Sequence, residues 1–76
     1  MPEYEIEKIA DGADMIIAGF SYTLTDRKTI RVLNLYNPAE ACVLEENGDV
    51  IETTMDDMML ARVQGYYLKN REFMEV

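Results

Sequence analysis

Histidine is absent from the 76 residues, and cysteine occurs once. Without imidazole the chain lacks the usual general base, a common zinc ligand and the usual activator of a serine or cysteine nucleophile. A single thiol cannot close an intramolecular disulfide, and it fits a reducing, cytoplasmic compartment. Basic residues are scarce as well. Seven Lys and Arg stand against fifteen Asp and Glu, a net charge of -8. Direct nucleic-acid binding needs a basic stripe along the phosphates. The nearest feature, Arg27, Lys28 and Arg31, reads instead as a turn and a strand edge. The longest strongly apolar stretch, Met15 to Phe20, is far short of the ~20 residues that cross a bilayer. Met1 to Glu7 carries neither the basic n-region nor the apolar h-region of a secretory signal. Gly12, Gly19, Gly48 and Gly65 stand too far apart for a phosphate-cradling loop.

What is present describes a compact chain. Hydrophobic residues make up 49% and charged residues 29%, a globular balance and not that of a disordered acidic segment. The length allows one domain, residues 1–76. In so short a chain apolar burial and ordering entropy nearly cancel, and disulfides, metals or a partner subunit usually tip the balance. Composition removes intramolecular disulfides and His-based zinc sites, so a second subunit is favoured. The acids are spread along the chain, which suits solubility. They also admit an alternative class: an acidic inhibitor or nucleic-acid mimic of the kind encoded by phages and mobile elements.

The chain divides by period near Thr53 and Thr54 into a sheet-forming part, 1–54, and a helical part, 55–76. From Met15 to Leu24, Ile16, Ala18, Phe20, Tyr22 and Leu24 alternate as one apolar face of a strand, with Gly19 marking a bulge or a close backbone approach. Thr29 to Tyr36 is a second strand. Ile30 and Val32 share one face and Leu33 and Leu35 the other, so it is either covered on both sides or bulged near Leu33. Asn37-Pro38 ends it. Asn47-Gly48 between apolar alternations predicts a two-residue type I′ hairpin. That register puts Leu44 opposite Ile51 and Cys42 opposite Thr53 on the core side, with Val43, Glu45, Val50 and Glu52 outward. Tyr4 to Ile9 alternates too and is a further strand, or alternatively a short helix.

From Met55 to Phe73 the period becomes 3.6. Thr54 followed by Asp57 resembles a capping box, and Lys69 and Arg71 sit where the helix dipole favours cations. Met55, Met59, Leu60, Val63, Tyr66, Tyr67, Phe73 and Met74 form the core-facing stripe. On the opposite side Met58, Ala61, Gly65 and Leu68 follow the three-four-three spacing of a helix seam. A mid-helix glycine costs about 1 kcal/mol relative to alanine, and close approach of a second helix would account for Gly65. Met58, Ala61, Gly65 and Leu68 are therefore the candidate interface.

The search for chemistry finds no catalytic, cofactor or metal motif. Asp11-Gly12-Ala13-Asp14 fails the EF-hand spacing, because Ala13, Met15 and Tyr22 occupy its third, fifth and twelfth positions. Asp56 and Asp57 diverge by about 100° on a helix and serve as caps. Glu45, Glu46, Asp49 and Glu52 form a solvated edge around the hairpin. Cys42 has no base to activate it. Tyr36, Tyr66, Tyr67 and Asn70 could line a small polar-tipped pocket, but ring packing with surface hydroxyls fits them better. The expectation is an α+β fold, an antiparallel meander of four to five strands with one C-terminal α-helix packed on one face. The expected function is that of a small, non-catalytic, cytoplasmic interaction or accessory domain that self-associates as a dimer or binds a protein partner. It would need no cofactor, small-molecule ligand, nucleic acid or membrane. An enzyme would have to work with carboxylates or tyrosines alone.

Overall fold

The structure, a computed structural model, describes residues 13–74. It shows a five-stranded antiparallel sheet in the order β1-β2-β3-β4-β5, followed by one helix. The strands are β1 (Met15–Ile17), β2 (Phe20–Leu24), β3 (Thr29–Asn34), β4 (Ala41–Glu45) and β5 (Val50–Thr53). The helix α1 spans Asp57–Asn70 and runs into a 3₁₀ turn, Arg71–Met74. This is the α+β meander that the change of period implied. Tyr4 to Ile9 lies outside the described residues.

The stretch Met15 to Leu24 is two strands and not one. The chain reverses at Ala18-Gly19, both at positive φ (52° and 83°), as a type I′ turn requires. Ile17 then pairs with Phe20 and Met15 with Tyr22. Across a two-residue turn, residues of opposite parity share a face. Met15 is therefore buried beside Phe20 and Tyr22, while Ile16 is exposed. A side chain at Gly19 would collide with the Tyr36 ring, which lies over this turn.

One straight row crosses the whole sheet on its inner face. The pairings Met15 to Tyr22, Tyr22 to Val32, Val32 to Cys42 and Cys42 to Thr53 are continuous. β3 keeps strict alternation without a bulge, with Ile30, Val32 and Asn34 inward and Leu33 half-buried on the outer face. Arg31 also faces outward, in the middle of the sheet and not at an edge. Tyr36 lies beyond the strand and is 87% exposed, so it lines no pocket under the helix.

The Asn47-Gly48 hairpin forms, but with a three-residue loop. Glu45 N donates to Asp49 O at 2.7 Å and Gly48 N to Glu45 O at 2.9 Å. Of the loop residues only Gly48 has positive φ, 96°. This is a type I turn completed by a glycine in the left-handed region. Leu44 consequently pairs with Val50, and a register shift beyond it restores Cys42 opposite Thr53. The expected Leu44–Ile51 pairing is thus corrected: Val50 packs against the core and Ile51 is 51% exposed.

The helix is shorter than its periodicity suggested. Asp56, not Thr54, is the cap, and its carboxylate accepts from Met59 N at 2.8 Å. Thr54 instead bridges strand ends, donating to Ala39 O at 2.7 Å and accepting from Ala41 N at 3.0 Å. Met55 precedes the helix yet is buried. Beyond Asn70 the tighter 3₁₀ winding buries Met74 and turns Phe73 out to 71% exposure.

Candidate interaction surface

The orientation of α1 is fixed from the sheet upward. The Tyr22 ring rises from β2 and its hydroxyl donates to the Val63 carbonyl at 3.0 Å, inside the core. The ring stacks on Tyr67 at 6.4 Å between centroids and 17° between planes. Val63 and Tyr67 are fully buried, with Met59, Leu60 and Tyr66 packed beside them. Burial of both rings, which contribute about 150–250 Å² each, makes this the centre of helix docking.

One flank of the helix is also latched to the β4–β5 loop. Tyr67 Oη donates to Glu46 O at 2.6 Å, Arg71 to the same carbonyl at 3.1 Å, and Gln64 Nε2 to Gly48 O at 2.9 Å. Leu68 leans on Gly48: a β-carbon placed there would stand 3.0 Å from Leu68 Cδ2. Periodicity placed Tyr67 and Gln64 on the helix but could not reveal this latch. It depends on a three-residue loop that leaves the Glu46 and Gly48 carbonyls turned toward the helix.

With Val63 and Tyr67 inward, the opposite face carries Met58, Ala61 and Gly65, all exposed, Met58 to 71%. Among the described residues nothing lies within 4 Å of the position a Gly65 β-carbon would take. Leu68 is 52% exposed and divides its surface between the loop and solvent. The four residues named from spacing thus share one face, with Leu68 at its margin. Asp57 sits in the first turn of this helix and Lys69 in the last.

The remaining candidates resolve into structure. Cys42 is buried in the central row, and burial pushes its thiol up to about 11. It is thus protonated and a poor nucleophile at neutral pH. Burial likewise raises the Tyr22 and Tyr67 phenols; for Tyr67, Arg71 opposes the shift and Glu46 adds to it. Asn70 donates to Tyr66 O at 2.9 Å. Asp14, from the former calcium candidate, accepts from Leu24 N at 2.7 Å and so ties β2 to the start of β1. Among the described residues no group of His, Cys, Asp or Glu side chains could hold a metal ion. No helix there is long and apolar enough to cross a membrane. A shallow depression of about 370 Å³ lies on the outer sheet face between Arg31, Val43 and Glu52, and one of about 440 Å³ separates Arg27 and Lys28 from Glu45 and Glu46. Neither encloses a buried polar group without a partner.

Taken together, these features define a small α+β protein, a five-stranded antiparallel sheet with a C-terminal helix packed on one face. The chain belongs to a family of unknown function, DUF7723, whose model matches residues 3–74. No curated protein and no solved structure matches it.

Proposed function

We propose that the protein is a non-catalytic accessory domain of the cytoplasm that works by self-association through the helix face of Met58, Ala61, Gly65 and Leu68. One observation carries the reading. Gly65 sits in the interior of α1 with no described residue within 4 Å of the position its β-carbon would take, where alanine would stabilise the helix by about 1 kcal/mol. No contact among the described residues calls for glycine at this point; close approach of a second helix would. Met58 supports the same reading, as a large flexible apolar side chain set on the solvent face, of the kind used at adaptable contacts. The single buried cysteine suits a reducing compartment.

Light scattering across a concentration series tests this proposal. The native chain should pass from monomer to dimer as concentration rises. Gly65→Leu should remain a monomer with its helix content intact. A native chain that stays monomeric at all concentrations, or a Gly65→Leu variant that dimerises normally, removes the proposal.

A further inference from the structure

The seam has an internal symmetry that specifies how two copies would meet. Asp57, Ala61, Gly65 and Lys69 lie four residues apart along α1. They form one oblique row of the kind that packs against an equivalent row when helices cross at about −50°. The middle of the row is two small residues, which permit close axial approach. Its two ends carry opposite charges. Read from either end, the row is small at the centre, and the charge at one end complements the charge at the other. Met58 and Leu68 flank the row at equal distances from its midpoint.

We infer that the partner on this face is a second copy of the chain, crossing antiparallel about a two-fold axis midway between Ala61 and Gly65. This arrangement rests on the self-association proposed above. In it Ala61 lies against Gly65 of the partner subunit. Asp57 meets Lys69 of the partner subunit at both ends, and Met58 meets Leu68 of the partner subunit across the crossing. A parallel crossing on the same row would set Asp57 against Asp57 and Lys69 against Lys69, four like charges at the two ends. The charge pattern therefore selects the antiparallel pair. One helix face covers less than a standard interface of about 1,200–2,000 Å², so the dimer is weak, with a dissociation constant on the order of tens of micromolar.

Cysteine cross-linking in a Cys42→Ala background reads the arrangement directly, because a disulfide needs β-carbons about 3.5–4.5 Å apart. Met58→Cys mixed with Leu68→Cys, which leaves Ala61 and Gly65 in place, should cross-link faster than either variant alone. Asp57→Lys should weaken dimerisation about tenfold, and adding Lys69→Asp to the same chain should restore it, with circular dichroism confirming the fold of each. A dimer that cross-links mainly between like positions, or not at all in the mixture, overturns the antiparallel arrangement and leaves self-association standing. A native chain still monomeric at about 1 mM, far above the expected constant, overturns both.

Discussion

Two hairpin loops at the same end of the sheet share one backbone geometry and differ in everything around it. In the β2–β3 loop, Thr25 N donates to Thr29 O at 2.9 Å and Lys28 N to Thr25 O at 3.0 Å; the β4–β5 loop repeats this pattern with Glu45, Asp49 and Gly48. Each loop ends on a residue with positive φ, Lys28 at 61° and Gly48 at 96°. The first is exposed and held by its own threonines, whose hydroxyls lie 2.7 Å apart. The second lies under the helix, receives two side-chain hydrogen bonds from it and a third from Arg71 of the 3₁₀ turn, and carries Leu68 on its glycine. Backbone conformation favours glycine at both positions, so conformation alone does not explain why only one has it. The additional demand is space: a β-carbon at Gly48 would press on Leu68, while the Lys28 side chain is exposed to solvent.

Substitutions that test this difference have a clear order of size. Tyr67→Ala removes both the ring stacked on Tyr22 and the hydroxyl bound to the β4–β5 loop. Urea unfolding should show a loss of about 3–5 kcal/mol, with amide exchange in 46–48 accelerated before that in 26–28. Gly48→Ala puts a side chain into the left-handed region and against Leu68, at a cost of about 1–2 kcal/mol. Leu68 is half exposed and can swing aside, so the cost should stay within that range and Leu68 resonances should shift.

Tyr67→Phe keeps the ring and removes only the hydrogen bond to Glu46 O, about 1 kcal/mol. Alkali should reproduce that loss. An ionised phenol cannot donate, and folding raises the Tyr67 phenol above its ordinary value of 10.0. The unfolded chain therefore ionises first. The latch's contribution is complete below pH 10 and falls as pH rises through the folded value, so the Gly48 amide shift should follow pH there and the Lys28 amide shift should not. Lys28→Gly should give the smallest effect, a gain of about 0.5 kcal/mol, as relief of the left-handed lysine slightly exceeds the added freedom of the unfolded chain. A loss at Lys28→Gly equal to that at Gly48→Ala would show that something beyond φ and space separates the two loops.

The same contrast explains what could be read from the residues in order. The Asn47-Gly48 turn was visible, but the dipeptide serves both two-residue and three-residue loops. The choice between them decides whether Val50 or Ile51 points inward, and the dipeptide alone does not make it. The Ala18-Gly19 reversal was hidden for another reason. Even-numbered apolar residues run unbroken from Ile16 to Leu24, and alanine at positive φ is uncommon, so nothing local marks the turn. The inward Cys42 and the Val63–Tyr67 stripe followed from periodicity because burial on one face dictates them; the regular alternation of β3 did not, because apolar Leu33 and Leu35 on its outer face suggested two-sided cover or a bulge. Spacing also put Met58, Ala61, Gly65 and Leu68 on one face. It could not show that Leu68 also covers Gly48, since that contact joins residues 20 positions apart in the sequence.

The central row of the sheet has a practical corollary. Its Cys42 is the sole thiol of the chain and is closed off from solvent, so a thiol-selective reagent can modify the protein only when β4 separates from its cover. The rate of that one reaction is a clock for opening, readable by mass without any introduced label. Run over a dilution series, the clock reports on association as well. If two copies stabilise one another, modification should slow as the protein is concentrated, and a rate independent of concentration would mean that each chain opens alone.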